Sequence, residues 1–229
     1  MNFRATISKR PADVAHMFDF VAPRYDFMNT LLSFGRDANW RRATAEALRV
    51  LPGERVLDLA AGTGKSSAPL VRAGAYVYSL DRSEGMVTVA KKNQSGMAFA
   101  VGDGIALPFA DGVFDAVTVS FGLRNMPAPV AVLRELARVT APGGRLVVCE
   151  FSTPTAPWLR NAYRYWLPRA IPLVSRLSPN PVSYDYLAQS IIDWPGQKTV
   201  AGWLRQAGWR DVSYQNLTAG IVALHRGWR

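Results

Sequence analysis

Short hydrophobic runs alternate with longer amphipathic stretches through the middle of the chain. The runs are rich in Val, Leu and Phe, which predicts β-strands at residues 55–60, 75–80, 98–102, 114–120 and 145–151. The stretches between them have helical spacing and predict helices at residues 65–73, 84–93 and 128–140. Strands separated by helices of this length indicate right-handed crossovers and a parallel sheet.

The two ends of the chain depart from this alternation. Residues 12–50 predict N-terminal helices, and residues 153–195, rich in Pro, Arg, Trp and Tyr, predict a helical lid insertion. The alternation resumes with a helix at 199–207 and strands at 210–216 and 220–226. A short polar turn joins these strands, so we expect a hairpin and an antiparallel last strand.

Length and composition agree with a single α/β domain over residues 1–229, built on a mostly parallel seven-stranded sheet. No run is long and apolar enough for a transmembrane helix, and the N-terminus lacks the apolar core of a signal peptide. The single cysteine, Cys149, lies in an apolar run and predicts core packing in a reducing cytosol. We therefore expect a cytoplasmic protein.

The chain is strongly basic, with a net charge of +10 and 27 Lys and Arg residues against 17 acidic ones. Such a surface favours anionic partners, either nucleic acid or anionic lipid headgroups. General solubility and a compositional bias explain the same charge equally well. Charge therefore leaves the partner open.

The strongest local signal is a glycine turn that follows the first predicted strand. Gly62 and Gly64 let the backbone turn tightly and approach a ligand closely. Three carboxylates, Asp58, Asp81 and Asp103, stand at or after the first three strands, where open α/β sheets bind ligands. Asp81 is placed to accept ribose hydroxyls, and Asp103 to accept a hydrogen bond from an adenine amine.

The turn matches neither common phosphate-binding pattern. Ser67 occupies the third glycine position of the dinucleotide fingerprint, and Leu59 occupies the first glycine position of a P-loop. Acidic groups suit a sulfonium cofactor with an ammonium group better than a pyrophosphate. We predict that S-adenosyl-L-methionine binds here. The predicted cofactor-binding residues are Asp58, Gly62, Thr63, Gly64, Asp81, Asp103, Gly104 and Ser120.

The glycine turn resembles motif I of class I methyltransferases, and further motifs resemble one branch, the ubiquinone/menaquinone biosynthesis C-methyltransferase family. These motifs occupy residues 25–29, 120–125, 138–152 and 216–226. The resemblance covers roughly residues 12–229. It implies a Rossmann-like class I methyltransferase fold and C-methylation of a polyprenyl quinol.

Within that family the motifs look more like the menaquinone branch, which implies demethylmenaquinol as the substrate. A polyprenyl benzoquinol of ubiquinone biosynthesis, and another small-molecule substrate, remain as alternatives. The sequence departs from the family pattern at Asp37, where a His is usual, at Lys65, where an Asp is frequent, and at Thr140-Ala141. Because Asp37 stands where the family has His, this position does not supply a histidine base.

The catalytic residues are expected in two places. Arg124 and Asn125 follow the fourth strand and are placed to stabilise and orient a developing phenolate, and Tyr25 lies in the N-terminal segment that closes over the site. A water held by Arg124, a carboxylate, Tyr25 or His16 remains as the base. His225 is predicted to be structural, and no cluster typical of a metal site is visible.

The insertion suggests where a lipid substrate arrives. In residues 157–176, a set of apolar and aromatic side chains shares helical spacing: Leu159, Ala162, Tyr163, Trp166 and Leu167. Arg160 and Arg164 fall to the side, and Pro168 is expected to end or kink the helix. This pattern predicts peripheral contact with an anionic membrane at the inner face of the cell membrane. A lid packed on its own domain, or a homodimer contact, explains it as well.

Two other functions fit the basic charge or the cofactor site. A nucleic-acid methyltransferase is disfavoured because residues 121–125 stand where exocyclic-amine methylators carry an Asn/Asp-Pro-Pro-aromatic box. We therefore expect no nucleic-acid partner. A non-catalytic cofactor-binding or assembly protein remains open.

Overall fold

A computed structural model describes residues 10–94, 96–163, 165, 169 and 182–229. Seven strands form one sheet in the order β3-β2-β1-β4-β5-β7-β6. They are β1 Arg55–Leu59, β2 Tyr76–Asp81, β3 Ala98–Val101, β4 Phe114–Ser120, β5 Thr140–Phe151, β6 Arg210–Leu217 and β7 Val222–Trp228. Only β7 runs antiparallel to its neighbours, as the polar turn before it predicts.

Helices cover both faces and the carboxyl edge of the sheet. They are α1 Pro11–Val21, α2 Tyr25–Leu32, α3 Asp37–Leu48, α4 Ser67–Arg72, α5 Glu84–Asn93, α6 Pro129–Val139, α7 Val182–Ile192 and α8 Gln197–Gln206. Residues 157–163 are also helical. The described part of the chain contains no helix that is both long and apolar enough to cross a membrane.

Successive side chains along each strand point to opposite faces of the sheet and pack in two separate hydrophobic layers. On one face, Leu57 packs with Leu133 of α6 and Leu204 of α8. On the other face, Val56 packs with Leu48 of α3 and with helix α4. The sheet is therefore buried on both sides, which explains why its central strands are nearly continuous runs of Val and Leu.

The N-terminal helices and α7 form a cap at the carboxyl edge of the sheet. Met28 of α2 packs against Ala188 of α7, and Val14 of α1 packs against Tyr186 of α7. Helix α7 also contacts the turn Leu123–Asn125. The predicted N-terminal helices and part of the predicted insertion thus meet over one end of the sheet.

The predicted fold is confirmed, with shifted boundaries. Strand β5 begins at Thr140 because Thr140 pairs with Phe114, after which residues 141–144 bulge before Arg145 pairs with Ala116. The sequence predicts this strand only from residue 145. Cys149 is buried in the core, where burial raises the pKa of its thiol to about 12.

Part of the predicted lid helix lies outside the described residues. The predicted residues outside the described part are Arg164, Trp166, Leu167 and Pro168. The described part of that stretch carries Trp158, which is exposed, and Tyr163, which is partly buried.

Candidate active site

An open cleft lies at the carboxyl ends of β1, β2, β3 and β4, with an empty volume of about 870 Å³ that includes its open mouth. The chain leaves β1 toward β2 on one side, and β4 lies on the other, so the cleft sits at the switch point of the sheet. Helix α1 contributes Val14 and Phe18, and α2 contributes Tyr25 to its lining. The N-terminal segment therefore forms one wall, as the sequence predicts.

The ends of β1 and β4 come together in strained backbone. Ala60 and Phe121, which follow these strands, have positive φ angles of 57° and 56°. A Cβ placed on Gly122 would lie 2.3 Å from the Cβ of Ala60. Strained residues of this kind persist where the surrounding fold fixes them, and they cluster at ligand sites.

Asp81 fixes the glycine turn from the end of β2. Its Oδ2 accepts the N–H of Gly62 at 2.8 Å, and its Oδ1 accepts the N–H of Ser83 at 2.9 Å. Burial raises the pKa of Asp81, and these backbone donors oppose that rise. Because a carboxylate oxygen has more than one lone pair, both oxygens can accept further hydrogen bonds from a ligand in the cleft.

Asp103 and Gly104 border the cleft beyond β3, as predicted. Asp103 is paired with Arg82, whose Nη1 lies 2.5 Å from Oδ2. Its Oδ1 accepts the N–H of Ile105 at 3.3 Å. A Cβ on Gly104 would lie 3.0 Å from the Leu59 side chain, so the backbone passes tightly here.

Three predicted cofactor residues, in or next to the glycine turn, do not line the cleft. Asp58 is fully buried, and its Oδ2 accepts the hydroxyl of Ser67 at 2.6 Å. Burial raises the pKa of Asp58 to about 7. Thr63 donates its hydroxyl to Asp26 at 2.8 Å. At Gly64, a Cβ would lie 2.5 Å from the Phe99 ring. Asp58 was predicted to bind the cofactor, but its side chain is buried against Ser67 and does not line the cleft, although Leu59 and Ala60 at the end of the same strand do.

Two aspartates of the N-terminal segment attach it to the cofactor loops, and sequence reasoning missed their partners. Asp26 accepts the Thr63 hydroxyl and lies 3.4 Å from the Lys65 Nζ. Asp19 accepts the Ser83 hydroxyl at 2.5 Å and the Gly85 N–H at 2.8 Å. Asp19 lies on α1 and Asp26 on α2, so no spacing within a single helix identifies their partners from the sequence. Lys65, a departure from the family pattern, thus has a partner within the cap.

Arg124 is held by the carboxylate of Glu150, which belongs to one of the family motifs but to which the sequence assigned no role. Its Nη1 lies 2.9 Å from Oε1 of Glu150, and both side chains are buried. The same nitrogen donates to the Phe121 carbonyl at 2.5 Å, and the guanidinium stacks over the Phe151 ring. Arg124 therefore lies beneath the cleft lining, where its charge acts on neighbouring groups.

Those neighbours are three tyrosines. Burial raises the pKa of Tyr25, Tyr163 and Tyr186, and the positive charge of Arg124 opposes part of that rise in each. Tyr25 is also hydrogen-bonded to Asn29. Tyr163 and Tyr186 come from the insertion, and sequence reasoning assigned neither a position beside Arg124.

Some buried polar side-chain atoms of the described residues lack a protein partner. Within the described residues, the Asn125 Oδ1, the Ser120 Oγ and the Tyr186 hydroxyl have no hydrogen-bond partner. Asn125 and Ser120 line the cleft. Buried polar groups are nearly always satisfied in native proteins, so these atoms indicate a bound ligand or water.

The remaining titratable residues singled out in the sequence lie outside the cleft lining. His225 is buried on β7, and its Nε2 lies 3.0 Å from the Gln197 carbonyl. Asp37 accepts hydrogen bonds from Thr30 and Ser33 and pairs with Arg41. His16 lies 3.7 Å from Asp19 and outside the cleft lining. Among the described residues, no group of His, Cys, Asp or Glu is arranged to hold a metal ion.

The cleft fits S-adenosyl-L-methionine. A Cβ on Gly62 would meet nothing within 4 Å, so the glycine turn faces open space beside Asp81. Asp81 and Asp103 supply acceptors for hydroxyl and amine groups, and the lining also contains Phe18 and Met86, which suit an adenine ring.

The comparisons with known proteins agree with this site. A model of the ubiE/COQ5 methyltransferase family matches residues 6–229. A demethylmenaquinone methyltransferase from Beutenbergia cavernae is 58% identical over 97% of this chain and 93% of its own length. One from Mycobacterium tuberculosis is 53% identical, over 99% of this chain and 96% of its own length.

A solved structure shares the fold. It is an S-adenosylmethionine-dependent methyltransferase from Thermotoga maritima with a TM-score of 0.69 at 18% identity, and the match covers 94% of this chain and 99% of that one. The predicted family, fold class and cofactor are confirmed. The chain is an S-adenosyl-L-methionine-dependent methyltransferase and belongs to the ubiE/COQ5 methyltransferase family.

Proposed function

We propose that the chain methylates a ring carbon of demethylmenaquinol, a lipid-soluble polyprenyl quinol, in menaquinone biosynthesis. The relatives at 58% and 53% identity carry the name demethylmenaquinone methyltransferase. The structural observation that supports the proposal is the buried Arg124 charge beside Tyr25 and Asn125 at the cofactor cleft. Such a positive charge stabilises the phenolate that forms when a ring hydroxyl loses its proton.

The chemistry requires an activated ring carbon. When bound, S-adenosyl-L-methionine supplies an electrophilic methyl group on a positively charged sulfur. A phenol has a pKa of about 10 in water, so the site must favour the phenolate. Arg124 does so through its charge in a buried, low-dielectric setting, where electrostatic stabilisation is strongest. Ionisation of the hydroxyl adds electron density to the ring carbon that receives the methyl group.

Tyr25 and Asn125 are proposed to hold the acceptor oxygen. Burial raises the pKa of Tyr25, so its phenol stays protonated and acts as a hydrogen-bond donor. Asn125 lines the cleft, where its Nδ2 donates a long hydrogen bond of 3.5 Å to the Phe121 carbonyl and its Oδ1, which has no protein partner, can accept a hydrogen bond from the quinol hydroxyl. The hydroxyl proton and the ring proton leave to a water or a carboxylate, and these two bases remain as alternatives.

The proposed cofactor contacts follow the cleft. The predicted residues that contact the cofactor directly are those that line the cleft: Gly62, Asp81, Asp103, Gly104 and Ser120. Asp58, Thr63 and Gly64 shape the turn beneath it. The cap formed by α1, α2 and α7 excludes water from the reacting groups.

We further propose that the protein works in the cytoplasm at the inner face of the membrane, because its acceptor resides in the bilayer. A homodimer is compatible with this arrangement. The net charge of +10 supports attraction to anionic headgroups.

Mass spectrometry of the quinone pool in cells lacking the protein tests the substrate. Accumulation of demethylmenaquinone supports the proposal, and accumulation of an unmethylated benzoquinone supports the ubiquinone alternative instead. An unchanged quinone pool would overturn both.

An Arg124→Ala variant separates catalysis from a purely cofactor-binding role. We expect turnover to fall on the order of 10²–10³-fold while calorimetry detects unchanged cofactor affinity. Its melting temperature must be recorded, because the substitution leaves Glu150 buried without its partner. A wild-type protein that binds the cofactor and methylates neither quinol would favour the non-catalytic reading.

A further inference from the structure

Helix α2 presents an exposed hydrophobic ridge to solvent. Phe27 is 67% exposed, Leu31 is 40% exposed and Phe34 is 82% exposed. Phe27 and Leu31 are four residues apart and share one face of the helix, and Phe34 follows three residues later. Adjacent exposed side chains of this size are uncommon on a protein surface that only meets water. We call Phe27, Leu31 and Phe34 the α2 ridge.

The backbone fixes the outermost member of the ridge. Phe34 has a positive φ of 52°, which is costly for a bulky residue. Its N–H donates to the Leu31 carbonyl at 3.1 Å, and the next N–H, of Gly35, donates to the Thr30 carbonyl at 2.7 Å. The turn therefore holds the Phe34 ring outward in a defined conformation.

The other sides of α2 are already occupied. Met28 and Leu32 pack against Ala188 and Leu187 of α7. Tyr25, at the start of the same helix, lines the cofactor cleft. A surface that covered the α2 ridge would therefore lie within about three helical turns of the cleft wall.

The charges around the α2 ridge are complementary to an anionic surface. Arg24 and Arg36 flank it at the two ends, and both are exposed. The nearest acidic residues, Asp26 and Asp37, are neutralised by ion pairs with Lys65 and Arg41. Aromatic and aliphatic side chains between arginines are the composition of helices that lie in a bilayer interface.

We propose that the α2 ridge inserts into the headgroup region of an anionic lipid bilayer. Phe27, Leu31 and Phe34 enter the acyl boundary, while Arg24 and Arg36 contact the lipid phosphates. This docking orients the cleft wall toward the bilayer, so that a lipid-soluble acceptor reaches Tyr25 without crossing water. The inference rests on the proposed function for its purpose, but the surface itself is testable without turnover.

Vesicle flotation of the full-length protein tests the surface directly. The probes are vesicles of phosphatidylglycerol with phosphatidylcholine, and of phosphatidylcholine alone. We expect the wild type to float with the anionic vesicles, and a Phe27→Ser/Phe34→Ser variant to partition at least about tenfold more weakly. Tyr76→Ser is the matched control, because Tyr76 is 66% exposed on β2 and far from the cap, and it should float like the wild type.

A second variant tests the charge. Arg24→Gln/Arg36→Gln should reduce the preference for anionic over neutral vesicles by about thirtyfold, since the two charges near the surface together contribute about 2 kcal/mol. Binding of the wild type to no vesicle, or equal flotation of the ridge variant, would overturn the proposal. A wild-type dimer that dissociates only in the ridge variant would assign the α2 ridge to a second copy of the chain instead.

Methylation assays keep this result separate from the proposed activity. With a short-chain quinol dissolved in detergent micelles, the ridge variant should match the wild type in kcat. With quinol embedded in anionic vesicles, its kcat/KM should fall by the same factor as its partitioning. If the wild type methylates neither preparation but still floats through the ridge, the proposed function fails and the docking surface stands.

Discussion

The carboxylate of Glu150 binds both the side chain and the backbone N–H of Arg124. Its Oε1 lies 2.9 Å from the Arg124 Nη1, and its Oε2 accepts the Arg124 N–H at 3.2 Å. The two side chains are only 3% and 1% exposed, so water screens neither charge. One carboxylate at the end of β5 therefore orients the turn after β4, which also carries Asn125. This makes Glu150 a positioning residue for the proposed reaction.

Replacing Glu150 with Gln should lower kcat and shift its pH dependence. The amide keeps the shape but leaves the Arg124 charge uncompensated, so the turn loosens and the local potential becomes more positive. We expect kcat at its optimum to fall at least about tenfold, with cofactor affinity unchanged within about twofold. The more positive potential favours phenolate, so the pH at which activity rises should move downward. A pH profile of kcat measures both effects.

Glu54→Gln is the control for that experiment. Glu54 is also partly buried and pairs at 2.6 Å with Arg145, which lies five residues before Glu150 along β5. Its loss should lower the melting temperature without moving the pH profile. An unmoved profile in Glu150→Gln as well would reduce Glu150 to a structural role.

Asp81→Asn should weaken cofactor binding. Both oxygens of Asp81 accept backbone N–H groups, from Gly62 and Ser83. In the Asn variant, the amide nitrogen replaces one of these oxygens, so two hydrogen-bond donors would face each other. We expect the dissociation constant measured by calorimetry to rise about 10- to 100-fold, because hydrogen bonds to a charged group contribute about 1.5–3 kcal/mol. Asp111→Asn, at a carboxylate that is 74% exposed and paired with Arg138, should leave the affinity unchanged.

The local parts of this site were predictable from the sequence, and the long-range parts were not. Gly62 and Asp81 were found because a glycine turn and a strand-end carboxylate leave a signal within one βαβ unit. The pairs Ser83–Asp19, Thr63–Asp26 and Arg124–Glu150 join residues 64, 37 and 26 positions apart. No periodic pattern links such partners, because folding alone brings them together.

The fold also has a part that the sequence predicts and a part that it does not. The alternation of Val56 and Leu57 between two hydrophobic layers follows directly from strand geometry, so the sheet was predictable. The early start of β5 at Thr140 was not, because Pro142 and the following glycines are typical of a turn. They form a bulge here, since Thr140 finds a backbone partner in Phe114 across the sheet.

Gly122→Ala should disrupt the cleft. The added methyl would stand 2.3 Å from the Cβ of Ala60, so the ends of β1 and β4 must separate. We expect destabilisation of about 1–3 kcal/mol in chemical denaturation and loss of cofactor binding at micromolar concentrations. Gly202→Ala in α8 is the matched substitution, because a Cβ there meets nothing within 4 Å, and it should stabilise the protein by up to about 1 kcal/mol.

Asp58→Asn should change how the stability of the cofactor-free protein depends on pH. Burial raises the folded-state pKa of Asp58 from 3.8 to about 7, so ionising it costs stability as the pH rises through that interval. Below about pH 4 the carboxyl is protonated in both the folded and the unfolded chain, and this cost vanishes. Asn cannot ionise, and its carbonyl can still accept the Ser67 hydroxyl. The melting temperature of the variant relative to the wild type should therefore rise between about pH 4 and 7 and stay level above about pH 8. A difference that is constant from pH 4 to 9 would show that Asp58 is ionised throughout, with its pKa not raised by burial.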